Sequence, residues 1–292
     1  MSVAIAGAEA AAGRKRRRRL LAKAGSALLG LALLIWSLLP LYNMLLIALD
    51  PEEGEIEFTG NIYPPDPDLD AFWVVLSQGD RYLEHFWQQF GNSLYIGLLT
   101  TVLTVLIASS ASFAVDRLRL RRGMMLTNAA FLIYTVPATF LAMPFYRLMH
   151  QYGLSDSLSA VAAAQVMLAM PFAILLLRHY ASLVPFELDD AARVDGASVV
   201  QMYLRVYLPL MAPALAVVAI YALLLAWNDY LYQVLLLNSQ SKMTVSMMQG
   251  HLFEDPDAAW NAMMAAAIIY ALPPIAVFYA LRRYVAASLS AG

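Results

Sequence analysis

Read as alternating apolar and polar stretches, the chain falls into six long apolar runs divided by polar segments. The runs extend from about Ala24 to Leu49, Ser93 to Val115, Met124 to Leu148, Leu158 to Leu177, Pro209 to Leu237 and Ala262 to Tyr284. Each reaches the length of about 20 mostly apolar residues that a helix needs to cross a bilayer. The first is too long for a signal-peptide core of about 7 to 15 residues, and no small-residue cleavage site follows it, so it is retained as a transmembrane helix. The pattern predicts an all-α polytopic membrane protein with six transmembrane helices. A basic tail covers residues 1–23, a six-helix membrane domain covers 24–285 and a short tail covers 286–292. The longest polar connections are 50–91, 181–208 and 238–261.

Composition agrees: 61% of the residues are hydrophobic and only 14% charged, far from the balance of a soluble domain. The absence of cysteine excludes disulfides, thiol catalysis and Cys-ligated metal sites. Charge then sets the orientation. The run Arg14 to Arg19 could be read as a nucleic-acid patch, but an apolar segment follows at once, which makes it a positive-inside anchor. With six spans both termini lie on one side, and that side collects 16 of the 19 basic residues, leaving Arg81, Arg147 and Lys242 opposite. The N- and C-termini and the 181–208 connection are thereby expected in the cytoplasm, and 50–91 and 238–261 outside. Segment 50–91 carries ten acidic residues, passes through Pro64-Pro65-Asp66-Pro67 and ends in an aromatic stretch with Phe72, Trp73, Tyr82, Phe86 and Trp87. It reads as an extracytoplasmic cap with aromatics at the membrane interface. Helices three to six hold Pro137, Pro144, Pro171, Pro209, Pro213, Pro273 and Pro274. Such kinks suit either a moving, cavity-lining bundle or ordinary packing of bent helices.

The stretch from Glu187 to Pro213 is polar between two apolar runs, and its grammar is helix, break, helix. Pro185 suits a first helical position, Asp189 and Asp190 favour the positive end of the macrodipole, and Asp189 stands four residues before Arg193. Gly196 interrupts the helix, and Ser198 followed by Gln201 signals a capping box for the next one. The face carrying Ala191, Ala192 and Gly196 is small enough for another surface to come close.

The spacing Asp190-Ala191-Ala192, Gly196, Val206, Leu208-Pro209 resembles the cytoplasmic coupling loop of permease subunits of ATP-binding-cassette importers, with Asp for Glu and Val for Ile. The string Ala191 to Ser198 and Trp227-Asn228-Asp229 is similar to carbohydrate-type permeases of the second maltose-transporter kind. The resemblance implies the type I importer architecture, with a coupling helix between helices four and five. It implies a bacterial inner-membrane complex of a second permease subunit, two ATPase subunits that bind ATP and Mg, and an extracytoplasmic solute-binding protein delivering a carbohydrate. In that role Ala191, Ala192 and Gly196 allow close docking, Asp190, Arg193 and Asp195 can pair with partner charges, and Pro209 fixes the exit into helix five. Segment 50–91 is then also a candidate docking surface for the solute-binding protein. Segment 238–261, with Gln249-Gly250-His251, would send a loop into that protein, Gly250 suiting a turn tip and His251 a polar probe; a solvated loop histidine is the plainer reading.

Within the fifth run, Asp229 is an intramembrane carboxylate, which is costly unless it faces the bundle, a cavity or the interface. Counting from Pro209 places it roughly 30 Å along, near the outer end of the helix. Tyr221, Asn228 and Tyr232 fall on one helical face and, with Trp227 and Asp229, could stack on and hydrogen-bond a sugar; helix-to-helix hydrogen bonding explains the same stripe.

Enzyme motifs are missing: there is no phosphate-binding loop, no dinucleotide fingerprint, no Ser/His/Asp arrangement and no second histidine at metal-ligand spacing. Energy must come from a partner or a gradient, and no cofactor or metal is expected on this chain. The alternative to an ATP-driven permease is a secondary transporter or channel, for which Asp229 is the one visible intramembrane charge.

Overall fold

The computed structural model describes residues 2–51, 63, 66–118, 120, 123–255 and 258–290, and every regular element among them is helical. The acidic run Glu52 to Glu57, Pro64-Pro65 and the basic residues Arg119, Arg121 and Arg122 lie outside the described residues, as do the side chains of Arg14 to Arg18. In chain order the helices are α1 (Ser2–Ala48), α2 (Asp70–Ser77), α3 (Phe86–Asp116), α4 (Gly123–Tyr134), α5 (Ala138–Gln151), α6 (Leu158–Ser182) and α7 (Glu187–Val194). They continue as α8 (Val199–Gln201), a π-helical turn (Met202–Tyr207), α9 (Leu208–Leu210), α10 (Ala212–Trp227), α11 (Leu231–Leu236), α12 (Val245–Glu254) and α13 (Trp260–Ser290).

The chain divides into two units. The first comprises Met1–Trp73 and Ala259–Ile268. Its main element, α1, contains a candidate span over Arg19–Ala48 of which only 6% is buried, so leucines and Trp36 stand exposed along it. A helix that is apolar all round and uncovered requires an apolar surrounding. At its end the Asn261 amide donates to the Asp50 carbonyl at 3.1 Å.

The second unit comprises Val74–Ala258 and Ile269–Gly292. Its centre is α3 packed on α6 and α10. The buried face of α3 is made of Ser93, Gly97, Thr100, Thr104, Ala108 and Ser112, spaced three or four apart, and α6 answers with Ala160, Ala164, Ala169, Ala173 and Ala181. Small residues at this spacing let two backbones approach closely, the packing that works where lipid removes the hydrophobic drive between helices. A Cβ on Gly97 would come within 3.0 Å of Leu223 and 3.3 Å of Trp227, so the glycine lets α10 sit against α3 without displacing those side chains.

Among the described residues, four helices are long and apolar enough to cross a membrane: Arg19–Ala48, Phe86–Asp116, Leu158–Ser182 and Trp260–Val285. A fifth candidate is the pair Val199–Leu210 and Ala212–Trp227, bent by 79°. The run Met124 to Leu148 was expected as one helix and is instead α4 and α5, broken at Thr135 to Pro137. Pro137 lacks an N–H and disfavours helical backbone at Val136, which divides the run. The fifth run was expected to be continuous from Pro209 and is broken twice, at Met211 and at Asn228 to Tyr230. Pro213 has no N–H to donate to the Pro209 carbonyl, which removes one helical hydrogen bond across the first break.

Candidate functional site

Two regions of the second unit gather the residues singled out by sequence. The first is the segment from α6 to α10. Helix α7 starts at Glu187 behind Phe186, two residues later than Pro185 suggested, and carries Glu187, Asp189 and Asp190 in its first turn. It ends before Gly196, whose φ of +78° is the left-handed backbone that glycine adopts without strain. The capping box is formed: the Ser198 hydroxyl accepts from the Gln201 N–H at 3.3 Å, and the Gln201 side chain accepts from the Ser198 N–H at 2.8 Å. Ala191, Asp190, Arg193, Asp195 and Gly196 are exposed and Ala192 half-buried, so α7 offers a free face rather than a packed one. A Cβ on Gly196 would meet nothing within 4 Å, so its requirement inside the chain is conformational. Pro209 is exposed in α9, and the turn into α10 falls two residues beyond it, at Met211.

The expected pairing of Asp189 with Arg193 is not made. Arg193 pairs with Asp190 instead, at 3.4 Å and in the open, where such a bridge adds little. Asp189 is the one buried residue of α7, and its carboxylate meets the Arg117 guanidinium at 2.8 Å with both side chains sealed from solvent. Arg117 caps α3 and donates to the carbonyls of Ala181 and Val184 at 3.0 and 3.1 Å, while Phe186 lies 4.9 Å from it. Next to it Asp116 accepts from Arg178 at 3.0 Å and from Ser112 at 3.1 Å. The π-helical turn adds Tyr203 and Tyr207, whose hydroxyls reach Ser109 at 2.7 Å and Ser112 at 3.0 Å, with both rings on Phe113. Sequence reading missed Arg117, Asp116 and Asp189 as a group. Arg117 counted only as one of a basic cluster, although its place at the end of an apolar run marks it as a helix cap.

The second region is a cavity of about 470 Å³ lined by Tyr221, Asn228, Asp229 and Tyr232, residues singled out in the sequence, together with Gln165 and apolar side chains. An adjoining, more apolar cavity of about 360 Å³ shares Tyr221 and runs along Pro137 and Pro171. The four predicted residues meet for a different reason from the one anticipated. The helix carrying them ends at Trp227, and it is the break that turns Asn228 and Asp229 into the opening. Asp229 accepts from the backbone N–H of Tyr232 at 3.5 Å and Gln233 at 3.2 Å, holding the first turn of α11. Tyr232 is buried, its hydroxyl donating to the Ala138 carbonyl at 2.8 Å. Trp227 does not line the cavity: its ring stacks on Tyr270 at 4.6 Å and its indole N–H donates to the Tyr270 carbonyl at 3.2 Å. Gln165 is fully buried, and neither polar atom of its side chain makes a hydrogen bond of good geometry, although its amide faces Asp229. A buried amide left this way is costly and is the kind of group a polar ligand satisfies.

Gln249, Gly250 and His251 were expected at a turn tip and lie inside α12 instead. Thr244 caps that helix by accepting from Met247, and Val245, Met248 and Leu252 give it a buried face at helical spacing. A Cβ on Gly250 would fall 2.5 Å from the Tyr230 ring, so any larger residue there would have to displace that side chain. His251 is exposed in the last turn of that helix. On the same side of the sequence map, Asp156, in left-handed backbone at φ 54°, accepts from the N–H groups of Asn238 and Ser239 and from the Ser239 hydroxyl and Lys242. The Ser239 hydroxyl, then those amides and Lys242, hold its carboxyl well below the usual carboxylate range against the opposing effect of burial.

Comparison with known proteins finds the family described as binding-protein-dependent transport system inner membrane component over residues 105–291. The inner membrane ABC transporter permease protein YcjP of Escherichia coli is 28% identical over 90% of this chain and 93% of its own. The diacetylchitobiose uptake system permease protein DasC of Streptomyces coelicolor is 29% identical over 94% of this chain and 98% of its own. The trehalose transport system permease protein SugB of Mycobacterium tuberculosis is 29% identical over 88% and 92%. In fold, the chain is similar to a subunit in the crystal structure of a bacterial ABC transporter involved in the import of the acidic polysaccharide alginate. That match has a TM-score of 0.74 at 22% identity and covers 91% of this chain and 97% of the other.

Proposed function

The chain belongs to the family of binding-protein-dependent transport system inner membrane components, and on that footing we propose that it forms half of the pathway of an ATP-driven importer that takes up a carbohydrate. The observation that carries the reading is the 187–201 segment: a short helix with an exposed acidic and small face, ended by left-handed Gly196 and restarted by a capping box, tied to the helix bundle by one buried carboxylate. A helix held this way can be pushed as a unit. In this reading α7 is the coupling helix and lies in the cytoplasm with both termini, where the charge distribution puts them. Ala191, Ala192 and Gly196 let an ATPase surface approach, and Asp190, Arg193 and Asp195 meet its charges. ATP and Mg are held by two partner ATPase subunits; this chain moves and does no chemistry. Differential contact with the nucleotide-bound and nucleotide-free partner shifts the bundle between inward- and outward-open states.

The membrane domain has six spans in this proposal, with α4 and α5 serving together as the third and the 79° bend turning the 199–210 segment along the surface before α10 crosses. The uncovered face of α1 meets lipid or the second permease. Tyr221, Asn228, Asp229, Tyr232 and Gln165 line this chain's part of the solute path, where amide and carboxylate groups next to aromatic faces match a sugar's hydroxyls and its apolar ring face. The carbohydrate class is supported by the names of the relatives. The 245–254 helix and the 74–91 segment, where Tyr82 hydrogen-bonds Asp255, form the surface offered to the solute-binding protein. The test is mild-detergent purification of the chain from its own cell. Recovery of a second permease and two ATPase copies with ATP hydrolysis supports the importer. Recovery of the chain alone, without ATPase activity, overturns it in favour of a secondary transporter.

A further inference from the structure

Helix α7 has eight residues and reaches the bundle with a single buried side chain, Asp189. What a partner does to α7 reaches the bundle through this carboxylate, through the half-buried Ala192 and along the backbone on either side, at Phe186 and Gly196; the carboxylate is the one polar link among them. The group that receives it, Arg117, is attached to two long helices at once. It belongs to the C-cap of α3, and its second terminal nitrogen is shared between the carbonyls of Ala181 and Val184 at the end of α6. The guanidinium fork is planar and stiff, so three elements are held in one geometry. The Nε of Arg117 is buried without an acceptor, which leaves one donor free for the carboxylate to move onto when α7 is displaced. On the far side of Gly196, the Tyr203 and Tyr207 hydroxyls hold the same stretch of α3 through Ser109 and Ser112, so α3 is gripped both before and after the flexible residue. π-helical turns such as the one bearing these tyrosines recur at functional sites.

We propose that Arg117 is the positioning residue that carries coupling-helix movement into the membrane, by joining Asp189 of α7 to the ends of α3 and α6. This rests on the reading of α7 as the coupling helix. A buried ion pair is weak evidence of a stability role, because well-packed apolar residues can often replace one without loss. The pair Arg117–Asp189 is kept in this account because it transmits.

The test uses the absence of cysteine. In the purified complex with its ATPase, Leu231→Cys places one thiol at the rim of the cavity, and its reaction with a water-soluble maleimide is timed with and without Mg-ATP and vanadate. In the otherwise unchanged chain the nucleotide should alter the labelling rate about fivefold or more. The double variant Arg117→Met with Asp189→Leu leaves no unpaired charge; it should keep the ATPase bound and hydrolysing while the labelling rate stops responding to nucleotide. Arg117→Lys, which keeps the charge and loses the fork, should respond partially. A full response in the double variant overturns the proposal. Loss of the ATPase from both variants also overturns it, since Arg117 would then only shape the docking surface. Gly196→Leu serves as the control for the underlying reading. If that variant responds normally, α7 is not the coupling helix; if it fails while the double variant responds, only the role of Arg117 falls.

Discussion

Helix α6 connects two regions built on opposite rules. At one end, beside Ala181, four ionised groups are paired two by two, Arg117 with Asp189 and Arg178 with Asp116, and the tyrosine hydroxyls around them find serine partners. About 24 Å away along the same helix, Gln165 is sealed in the protein without a hydrogen bond of good geometry, its amide facing the Asp229 carboxylate beside an open cavity. In the first region both ion pairs are closed and only the Arg117 Nε lacks an acceptor; the second leaves a whole buried amide unused beside an open cavity. Buried polar networks that are complete fix one geometry, whereas incomplete ones are sites where water or a ligand comes and goes. The contrast matches a machine that must pass a displacement through one place and exchange a solute at another.

The comparison is broken most severely at Gly196. Its left-handed backbone costs an L-residue about 1–2 kcal/mol, so Gly196→Val should reduce solute uptake at least about tenfold with normal membrane insertion. Gly196→Asn, which tolerates this conformation, separates two causes: near-normal uptake assigns the requirement to the backbone, and loss equal to that of valine assigns it to close docking of a partner. Next in size is Gln165→Leu. Removing an unsatisfied buried amide should leave thermal stability unchanged or slightly raised, while uptake falls about fivefold; a drop in melting temperature together with uptake would make Gln165 a structural residue.

Asp229→Asn should have a smaller effect, about two- to threefold on uptake, because asparagine can still accept at the start of α11. An effect larger than that of Gly196→Val would revive ion coupling through Asp229. The smallest change is expected at Asp156. Its folded-state pKa is depressed, so its contribution is fully present above the ordinary value of 3.8 and is lost as pH falls below it. Asp156→Asn should lower stability slightly at neutral pH, where the contribution is present, and flatten the acid limb below 3.8, where it is already lost; an unaltered acid limb would show that the anchor at Asn238 and Ser239 does not depend on the carboxylate.

Much of this was legible in the chain. Long apolar runs, the capping box at Ser198, the break at Gly196 and the family spacing around Asp190-Ala191-Ala192 are local signals, and the structure has a helix, a left-handed glycine and a reciprocal cap where they stand. Even α12 was readable, since Val245, Met248 and Leu252 recur at helical spacing; the polar residues among them concealed it. Other features depend on what lies beside a residue in space. Asp189 had a plausible partner four residues away in Arg193, and only the packing of α3 against α6 brought Arg117, 72 positions earlier, to the buried side of the helix. Trp227 adjoins Asn228 in sequence yet turns away to Tyr270, because the helix ends between them. Gln165 carried no motif at all. Sequence by itself determined most of the helical segments and the caps around Gly196, because apolar period, caps and prolines act over a few residues. The tertiary structure alone decided which charge meets which and which amide goes unmet, because those depend on helices far apart in the chain being packed side by side.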